Sequence, residues 1–260
     1  MALIAMAVHD LEDNQRSELT RRTLVSIVRT VAFSRHRLII IDNGSCDETK
    51  RIIKNFTKNF TPVEGISVIT LPQNEGTANA INRAWATRKP GEHCIKMDND
   101  VVIHSKNWIE EMEEVIKRSP SIGQVGLKRK DCWEHTEHEN PELRSRLIQL
   151  PHNPGERWVV VEQSKHIIGT CVMHNAALID KVGGLYQPGV YGYDDVLMSW
   201  RSALAGFVNV FLPHIDIDHI DPGGTAYQTW KERHAGKYQQ GISDLVDDYI
   251  SGAESIYYPL

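Results

Sequence analysis

The sequence lacks the features that mark several protein classes. Its four cysteines form no C-x-x-C pair, which argues against a structural zinc site and favours a reducing compartment. No apolar run approaches the ~20 residues that a membrane-spanning helix needs. The net charge of −5 leaves no excess of basic residues for a wide nucleic-acid interface. These absences exclude zinc-finger modules, membrane-spanning proteins and broad nucleic-acid binders.

The N-terminal stretch MALIAMAVHD has neither a basic leader region nor a small-residue cleavage site. It is typical of a first β-strand and not of a signal peptide. We therefore predict a cytoplasmic protein with no integral membrane segment. Arg16 and the other basic residues of the first helix, the triplet 128–130 and Lys231 are expected on solvated surfaces.

Apolar residues make up 41% of the chain and charged residues 24%, an ordinary balance for a globular protein. The first half alternates apolar runs with amphipathic stretches, which predicts a mostly parallel sheet with helices on both faces. The strands predicted from apolar runs are 3–8, 38–41, 65–71, 93–97, 123–127, 158–161, 166–173 and 207–212. The more clearly bounded helices predicted are 76–88, 108–117, 194–205 and one near 226–235.

Polar clusters follow each of the first four predicted strands. They are His9–Asp10, Asp42–Asn43, Asn74 and the triplet 98–100. Ligands of such sheets bind at the carboxyl ends of the strands. The shared placement of these clusters therefore predicts one binding site at that edge.

The stretch KMDNDVVI, residues 96–103, places two carboxylates directly after a buried strand. Asp98 and Asp100 can share a hard divalent cation and leave coordination positions open for phosphate oxygens. A short acidic turn would give the same letters, so the stretch alone does not decide between the two interpretations.

Five motifs occur in a fixed order over roughly residues 3–225. They are IDNGSCDET (41–49), NEGTANAIN (74–82), DND (98–100), KVGGLY (181–186) and YDDVLMSWRSALAG (193–206). In this order they resemble the motifs of GT-A fold glycosyltransferases of family 2, which use nucleotide-diphosphate sugars. The resemblance implies an α/β, Rossmann-like GT-A fold with a mostly parallel central sheet and a smaller irregular acceptor-side region.

The same resemblance implies a single domain over residues 1–260. Its nucleotide-binding half would cover about 1–104, its acceptor-side half about 105–225 and a C-terminal helical tail 226–260. The implied reaction is metal-dependent transfer of a sugar to an acceptor hydroxyl, with a UDP-sugar as the favoured donor and Mn²⁺ or Mg²⁺ as cofactor. Inversion is the favoured outcome, and retention, which some related GT-A enzymes show, stays open.

Site residues follow from the motifs position by position. The nucleotide-sugar-binding residues would be His9, Asp42, Asn74, Gly76, Thr77, Asp98 and Asn99. Asp100 would be the direct metal ligand, with Asp98 and His219 as further ligands; His219 fits better than His214. His9 stands where the family usually has an aromatic residue after a proline, and this departure leaves the nucleobase preference open.

Asp195 would be the general base that deprotonates the acceptor hydroxyl. Its neighbour Asp194 stands where the family usually has Glu, so the division of roles within the acidic pair is left open. Arg201, two turns further along the same predicted helix, would either orient the pair or serve the fold alone.

Two other classes of function remain as alternatives. A nucleotidyltransferase would need a Gly-rich, basic loop after the first strand, and the sequence there is the acidic VHDLEDN. A non-catalytic nucleotide-sugar-binding module would need no base. For an enzyme, a saccharide is the favoured acceptor, and a protein or a hydroxylated DNA base is possible. The excursion 131–156, flanked by Trp133 and Trp158, is predicted to supply acceptor or lid residues.

Overall fold

Strands and helices alternate along the first hundred residues of the computed structural model, which describes residues 1–12, 16–60, 65–130, 146–221, 223 and 225–260. The strands are β1 (Ala2–Val8), β2 (Arg37–Asn43), β3 (Ile66–Leu71), β4 (His93–Met97), β5 (Val101–Ile103), β6 (Ile122–Arg129), β7 (Arg146–Gln149), β8 (Val160–Gln163), β9 (Cys171–His174) and β10 (Val208–His219). The helices are α1 (Ser17–Thr30), α2 (Asp47–Phe60), α3 (Thr77–Trp85), α4 (Trp108–Arg118), α5 (Ala176–Val182), α6 (Asp194–Leu204), α7 (Thr225–Ala235) and α8 (Gln239–Ser251).

All ten strands belong to one sheet with the order β3-β2-β1-β4-β9-β6-β10-β8-β7, and β5 pairs with β10. The four strands of the nucleotide-binding half predicted from the sequence are all parallel. Strand β9 is antiparallel to both β4 and β6, whereas β6 and β10 are parallel. The predicted α/β architecture is therefore confirmed, with a parallel first half and a mixed second half.

Helices pack on both faces of the sheet, and the side chains of each strand alternate between the two faces. Along β1, Ile4 and Met6 point into a core shared with α1, α2 and α4. Leu3 and Ala5 point to the opposite face and pack with α3, α5 and α6. All four side chains are fully buried, so β1 is a central strand whose carboxyl end is held rigidly.

The strand predictions need correction in the second half. The predicted strand 158–161 is Val160–Gln163, and the predicted strand 166–173 is reduced to Cys171–His174. A turn at Gly169 and Thr170 immediately precedes β9, so the first part of the predicted run, 166–170, does not pair as a strand. Strands β5 and β7 and helix α8 were not predicted individually.

Arg201 ties the C-terminal segment to the body of the fold. Its fully buried guanidinium donates to the carbonyl oxygens of Val182, Gly184 and Ile256. Tyr258 also forms a bridge with Gly183. Of the two roles open for Arg201, the contacts support the structural one. Within the described part of the chain, no helix combines the length and the apolar character required to cross a membrane.

Candidate active site

A cleft of about 360 Å³ opens at the carboxyl ends of β1 and β4. The loops after these strands, the start of α6, the end of β10 and helix α7 form its walls. Most residues proposed from the sequence line it: His9, Asn74, Thr77, Asp98, Asn99, Asp100, Asp194, Asp195 and His219. The volume falls in the usual range for small-ligand sites.

Asp100, His219 and Asp221 form a cluster, with one potential ligand atom from each lying within 4.8 Å of the others, and Asp100 and His219 line the cleft. Antiparallel pairing of β5 with β10 produces this cluster, since His219 lies opposite Val101 and the amide of Ile220 donates to the carbonyl oxygen of Asp100 at 2.8 Å. Asp221 belongs to the stretch HIDIDHIDPGGT, residues 214–225, but was not predicted as a metal ligand. The stretch contains three aspartates, and only the β5–β10 pairing shows which of them lies beside Asp100.

The cluster favours a bound cation. Asp100 is only 5% exposed, and one of its carboxylate oxygens has no hydrogen-bond partner among the described residues. Burial would raise the pKa of Asp100, but a hydrogen bond from His219 and the charge of Arg16 outweigh it and lower the pKa to about 2. An ionised, incompletely satisfied carboxylate beside an imidazole and a second carboxylate fits Mn²⁺ or Mg²⁺.

Two basic residues expected on solvated surfaces instead face this cluster. Arg16 is 4% exposed, contacts Asp100 and places a guanidinium nitrogen 3.1 Å from a carboxylate oxygen of Asp221. The ammonium of Lys231 lies 3.1 Å from the same carboxylate of Asp221. The surface prediction was wrong for Arg16 and Lys231, because the acidic cluster that attracts them is assembled from distant parts of the chain. It was also wrong for Lys128, which is only 6% exposed.

Asp98 was predicted both to bind the donor and to ligate the metal. Among the described residues, it does not belong to the cluster of Asp100, His219 and Asp221. Its carboxylate lies 3.9 Å from the ammonium of Lys96. Removal from bulk water raises the pKa of Asp98 to about 7, against the lowering effect of Lys96, and the nearby carboxylates of Asp100 and Asp194 add to the rise. This position suits contact with a donor better than direct metal binding.

The acidic pair occupies the first turn of α6. Asp194 is 5% exposed, and its carboxylate lies 2.7 Å from the ammonium of Lys96. Asp195 accepts the amide hydrogen of Gly169 at 3.0 Å, and the imidazole of His166 lies 3.4 Å away. Burial would raise the pKa of Asp195, but His166, Lys96 and the Gly169 amide outweigh it and hold the pKa below its usual range. These contacts favour the ionised form of Asp195.

Asn43 organises the loop that precedes α3. Its amide donates to the side-chain oxygen of Asn74 at 2.9 Å, and its own oxygen accepts the amide hydrogen of Glu75 at 2.9 Å. The carbonyl oxygen of Asn43 lies 2.9 Å from Nδ1 of His9. Asn43, which was not among the proposed site residues, thus joins His9, Asn74 and Thr77 in the lining of the cleft.

Three of the proposed donor-binding residues have other roles in this structure. Asp42 is buried outside the cleft lining and accepts the amide hydrogen of Ser45 at 2.9 Å, so it closes a turn. Gly76 adopts a left-handed φ of 88° before α3, a conformation that glycine favours. Asn99 reaches the cleft, but its amide donates to Asp10 and Thr20 at 2.9 and 2.7 Å.

The predicted acceptor or lid region, 131–156, is described by the structure only from residue 146 onward. Trp133 lies outside the described residues. Trp158 is 64% exposed and stacks against His152, away from the residues that line the cleft. Tyr191, Tyr193 and Trp230 line the cleft instead, and the Tyr191 and Trp230 rings lie 5.3 Å apart.

A parallel α/β first half with an acidic cleft at its carboxyl edge, followed by a mixed second half, is the architecture of a GT-A fold. Residues 14–183 match the family model described as Glycosyl transferase family 2, and the chain belongs to this family. The fold and family predicted from the sequence are confirmed.

Known proteins show the same relationship. The chain is 31% identical over 109 residues to poly-beta-1,6-N-acetyl-D-glucosamine synthase of Staphylococcus epidermidis. The matched segment covers 42% of this chain and 25% of that protein. The solved structure of mannosyltransferase PcManGT from Pyrobaculum calidifontis, in complex with GDP-Man and Mn²⁺, superposes with a TM-score of 0.67 at 14% identity, over 88% of this chain and 59% of that one. The structure of GalNAc-T7 with UDP, GalNAc and Mn²⁺ gives 0.62 at 16% identity, over 84% and 43%. The chain spans about a quarter of the length of the curated relatives that it matches.

Proposed function

We propose that this chain transfers a sugar from a nucleotide-diphosphate sugar, with a UDP-sugar as the favoured donor, to an acceptor hydroxyl. The observation that carries the proposal is that one cleft is lined both by Asp100 and His219, which cluster with Asp221, and by the acidic pair of α6. Family membership and the nucleotide and Mn²⁺ complexes of the two structural neighbours support it.

Donor binding divides along the cleft. His9 and Asn43 would contact the nucleoside, and Thr77 places the amino terminus of α3 toward the phosphates. Asp100, His219 and Asp221 would hold Mn²⁺ or Mg²⁺, which when bound stabilises the negative charge of the departing diphosphate as a Lewis acid. Arg16 and Lys231 add positive charge at the same end of the cleft.

Asp195 serves as the general base. It takes the proton of the acceptor hydroxyl while that oxygen bonds to the anomeric carbon and the bond from this carbon to the diphosphate oxygen breaks. The products are the glycosylated acceptor and a nucleoside diphosphate. A single displacement of this kind inverts the anomeric configuration. A saccharide is the favoured acceptor, because the aromatic faces of Tyr191 and Trp230, in the same cleft as the acidic pair, suit a sugar ring.

A panel of UDP-, GDP-, CMP- and dTDP-sugars, each with and without Mn²⁺, tests the proposal through thermal unfolding and release of nucleotide. We expect one donor to stabilise the protein and to be hydrolysed slowly only with Mn²⁺. Asp100→Asn should abolish both effects. Asp218→Asn is the matched control, since Asp218 precedes His219 on β10 but pairs with His104 and Lys130 at the surface.

Two outcomes would favour the alternatives. Donor-induced stabilisation with neither hydrolysis nor transfer would indicate a binding module. Release of pyrophosphate from a nucleoside triphosphate and a sugar phosphate would indicate a nucleotidyltransferase. No response to any donor in either condition would contradict the proposed function itself.

A further inference from the structure

A buried lysine lies between the two acidic motifs of the cleft. Lys96 is on β4, two residues before Asp98, and is 6% exposed. Its ammonium lies 2.7 Å from a carboxylate oxygen of Asp194 and 3.9 Å from one of Asp98. A single cation thus connects the donor-side DND triplet with the acceptor-side acidic pair, which are almost a hundred residues apart in the sequence.

The backbone around Lys96 is shaped to admit its ammonium. Gly169 passes so close that a Cβ atom there would lie 2.5 Å from the Lys96 nitrogen and 3.1 Å from Cβ of Asp195. The amide of Gly169 donates to Asp195, and the next residue, Thr170, accepts the amide hydrogen of Asp98 at 2.9 Å. The segment 169–170 therefore bonds both Asp195 and the end of β4, and the missing side chain at Gly169 leaves room for the Lys96 ammonium.

The charge of Lys96 is maintained by its surroundings. Burial alone would lower the pKa of the ammonium, but the carboxylates of Asp194, Asp98 and Asp195 outweigh it and raise the pKa above its usual value. A buried lysine without such partners would lose its proton, whereas here it stays charged and attracts the start of α6.

The start of α6 needs such a restraint. Tyr193, immediately before the acidic pair, has a φ of 68°, a left-handed conformation that non-glycine residues rarely adopt. Strained backbone persists where surrounding contacts hold it in place. The ion pair between Lys96 and Asp194 is such a contact, one residue beyond the strained position.

We propose that Lys96 is a positioning residue that fixes Asp194 at the start of α6 and thereby leaves Asp195 as the member of the acidic pair that acts on the acceptor. The inference rests on the proposed glycosyl transfer. It assigns the open division of roles within the pair: Asp194 anchors the helix through Lys96, and Asp195 takes the proton.

A double-mutant cycle tests this assignment with Lys96→Met, Asp194→Asn and the two combined. The readouts are kcat, the KM for donor and acceptor, the Kd of the donor with Mn²⁺ by calorimetry, and thermal unfolding. Because the two residues act as a unit, we expect each single variant and the double variant to lose kcat to a similar extent, about 100-fold. Donor Kd should change less than about threefold. The double variant should also unfold at a higher temperature than Lys96→Met. The single variant leaves the buried carboxylate of Asp194 without its cation, whereas the double variant has no charge at position 194.

Lys128→Met is the matched control. Lys128 forms an ion pair with Glu162 at 2.7 Å, and the two side chains are 7% and 5% exposed, but neither residue lines the cleft. Its loss should lower thermal stability and leave kcat nearly unchanged. The positioning role is overturned if Lys96→Met affects kcat no more than Lys128→Met, or if the kcat losses of the two single variants multiply in the double variant.

Failure of this inference differs from failure of the proposed function. A wild-type protein that transfers sugar from no donor would contradict both. An active wild-type protein with an active Lys96→Met variant would contradict the positioning role alone.

Discussion

Arg16 and Asp100 form an ion pair in which the side chains are only 5% and 6% exposed. The same guanidinium also lies 3.1 Å from Asp221, so it bridges two of the three residues that could hold a divalent cation. The guanidinium of Arg16 therefore already neutralises two of the carboxylates that a metal ion would bind. Arg16 and a metal ion should compete for the same carboxylate oxygens.

This relationship predicts the effect of Arg16→Gln on metal affinity. Removing the guanidinium removes a competing positive charge, so Mn²⁺ should bind about tenfold more tightly, as measured by calorimetry without nucleotide. The variant should also unfold at a lower temperature without Mn²⁺, because two buried carboxylates lose one of their positive partners. Arg21→Gln is the control, since Arg21 pairs with Glu18 on the exposed side of α1. Weaker Mn²⁺ binding by Arg16→Gln would show that Arg16 assists the cation and does not compete with it.

Gly169→Ala should damage catalysis without unfolding the protein. The added methyl group would lie within 3.1 Å of both the Lys96 ammonium and Asp195, so one of them has to move. We expect kcat to fall about 100-fold, because displacements of this size at a reacting group are costly, while thermal stability changes little. Gly236→Ala provides a control, because no atom lies within 4 Å of the added methyl group there. Equal kcat values for the two variants would contradict the geometry described for the acidic pair.

The sequence was sufficient to locate the cleft because a simple rule places it. Asp98, Asp100 and Asn74 each follow a parallel strand, and the carboxyl ends of parallel strands meet at one edge of the sheet. His219 and Asp195 were found through motif order and not through this rule. The structure brings all five residues to the same cleft.

The residues that sequence reasoning missed depend on contacts between distant segments. Arg16 and Lys231 are inward-facing only because β5–β10 pairing places Asp221 beside Asp100, a register that no local pattern specifies. Asp42 was proposed for the donor, whereas its neighbour Asn43 is the one that lines the cleft. Successive side chains of a strand point to opposite faces, so a shift of one residue decides which of the two reaches the cleft.

Trp230→Ala should weaken acceptor binding selectively. Trp230 lines the cleft and is packed between Tyr191 and His234, with ring centroids 5.3 and 4.3 Å away. Loss of this aromatic face should raise the KM of a saccharide acceptor about tenfold and leave donor hydrolysis nearly unchanged. Trp158→Ala tests the alternative prediction that the acceptor binds near the 131–156 region, since Trp158 is exposed and lies outside the cleft lining. A larger effect of Trp158→Ala would return the acceptor site to the 131–156 region.

His174 should make the fold sensitive to acid. The side chain is 2% exposed on β9, its ring packs against Trp85, and one ring nitrogen has no hydrogen-bond partner among the described residues. Burial, together with the charges of Lys96 and Arg201, lowers the pKa of His174 from 6.5 to about 3. Below pH 6.5 the unfolded chain binds a proton at this position that the folded chain does not, so the free energy of unfolding falls as the pH falls toward 3.

The loss attributable to His174 at pH 5, relative to pH 8, should be about 2 kcal/mol. Denaturant unfolding between pH 5 and pH 8 measures it as the difference between the wild type and His174→Gln. The variant should be less stable than the wild type at pH 8, where it loses packing against Trp85, but its stability should depend less steeply on pH. His152→Gln, which changes an exposed histidine, should keep the wild-type slope. Equal slopes for the wild type and His174→Gln would mean that His174 is protonated in the folded state or that the fold opens locally before the rest of the chain unfolds.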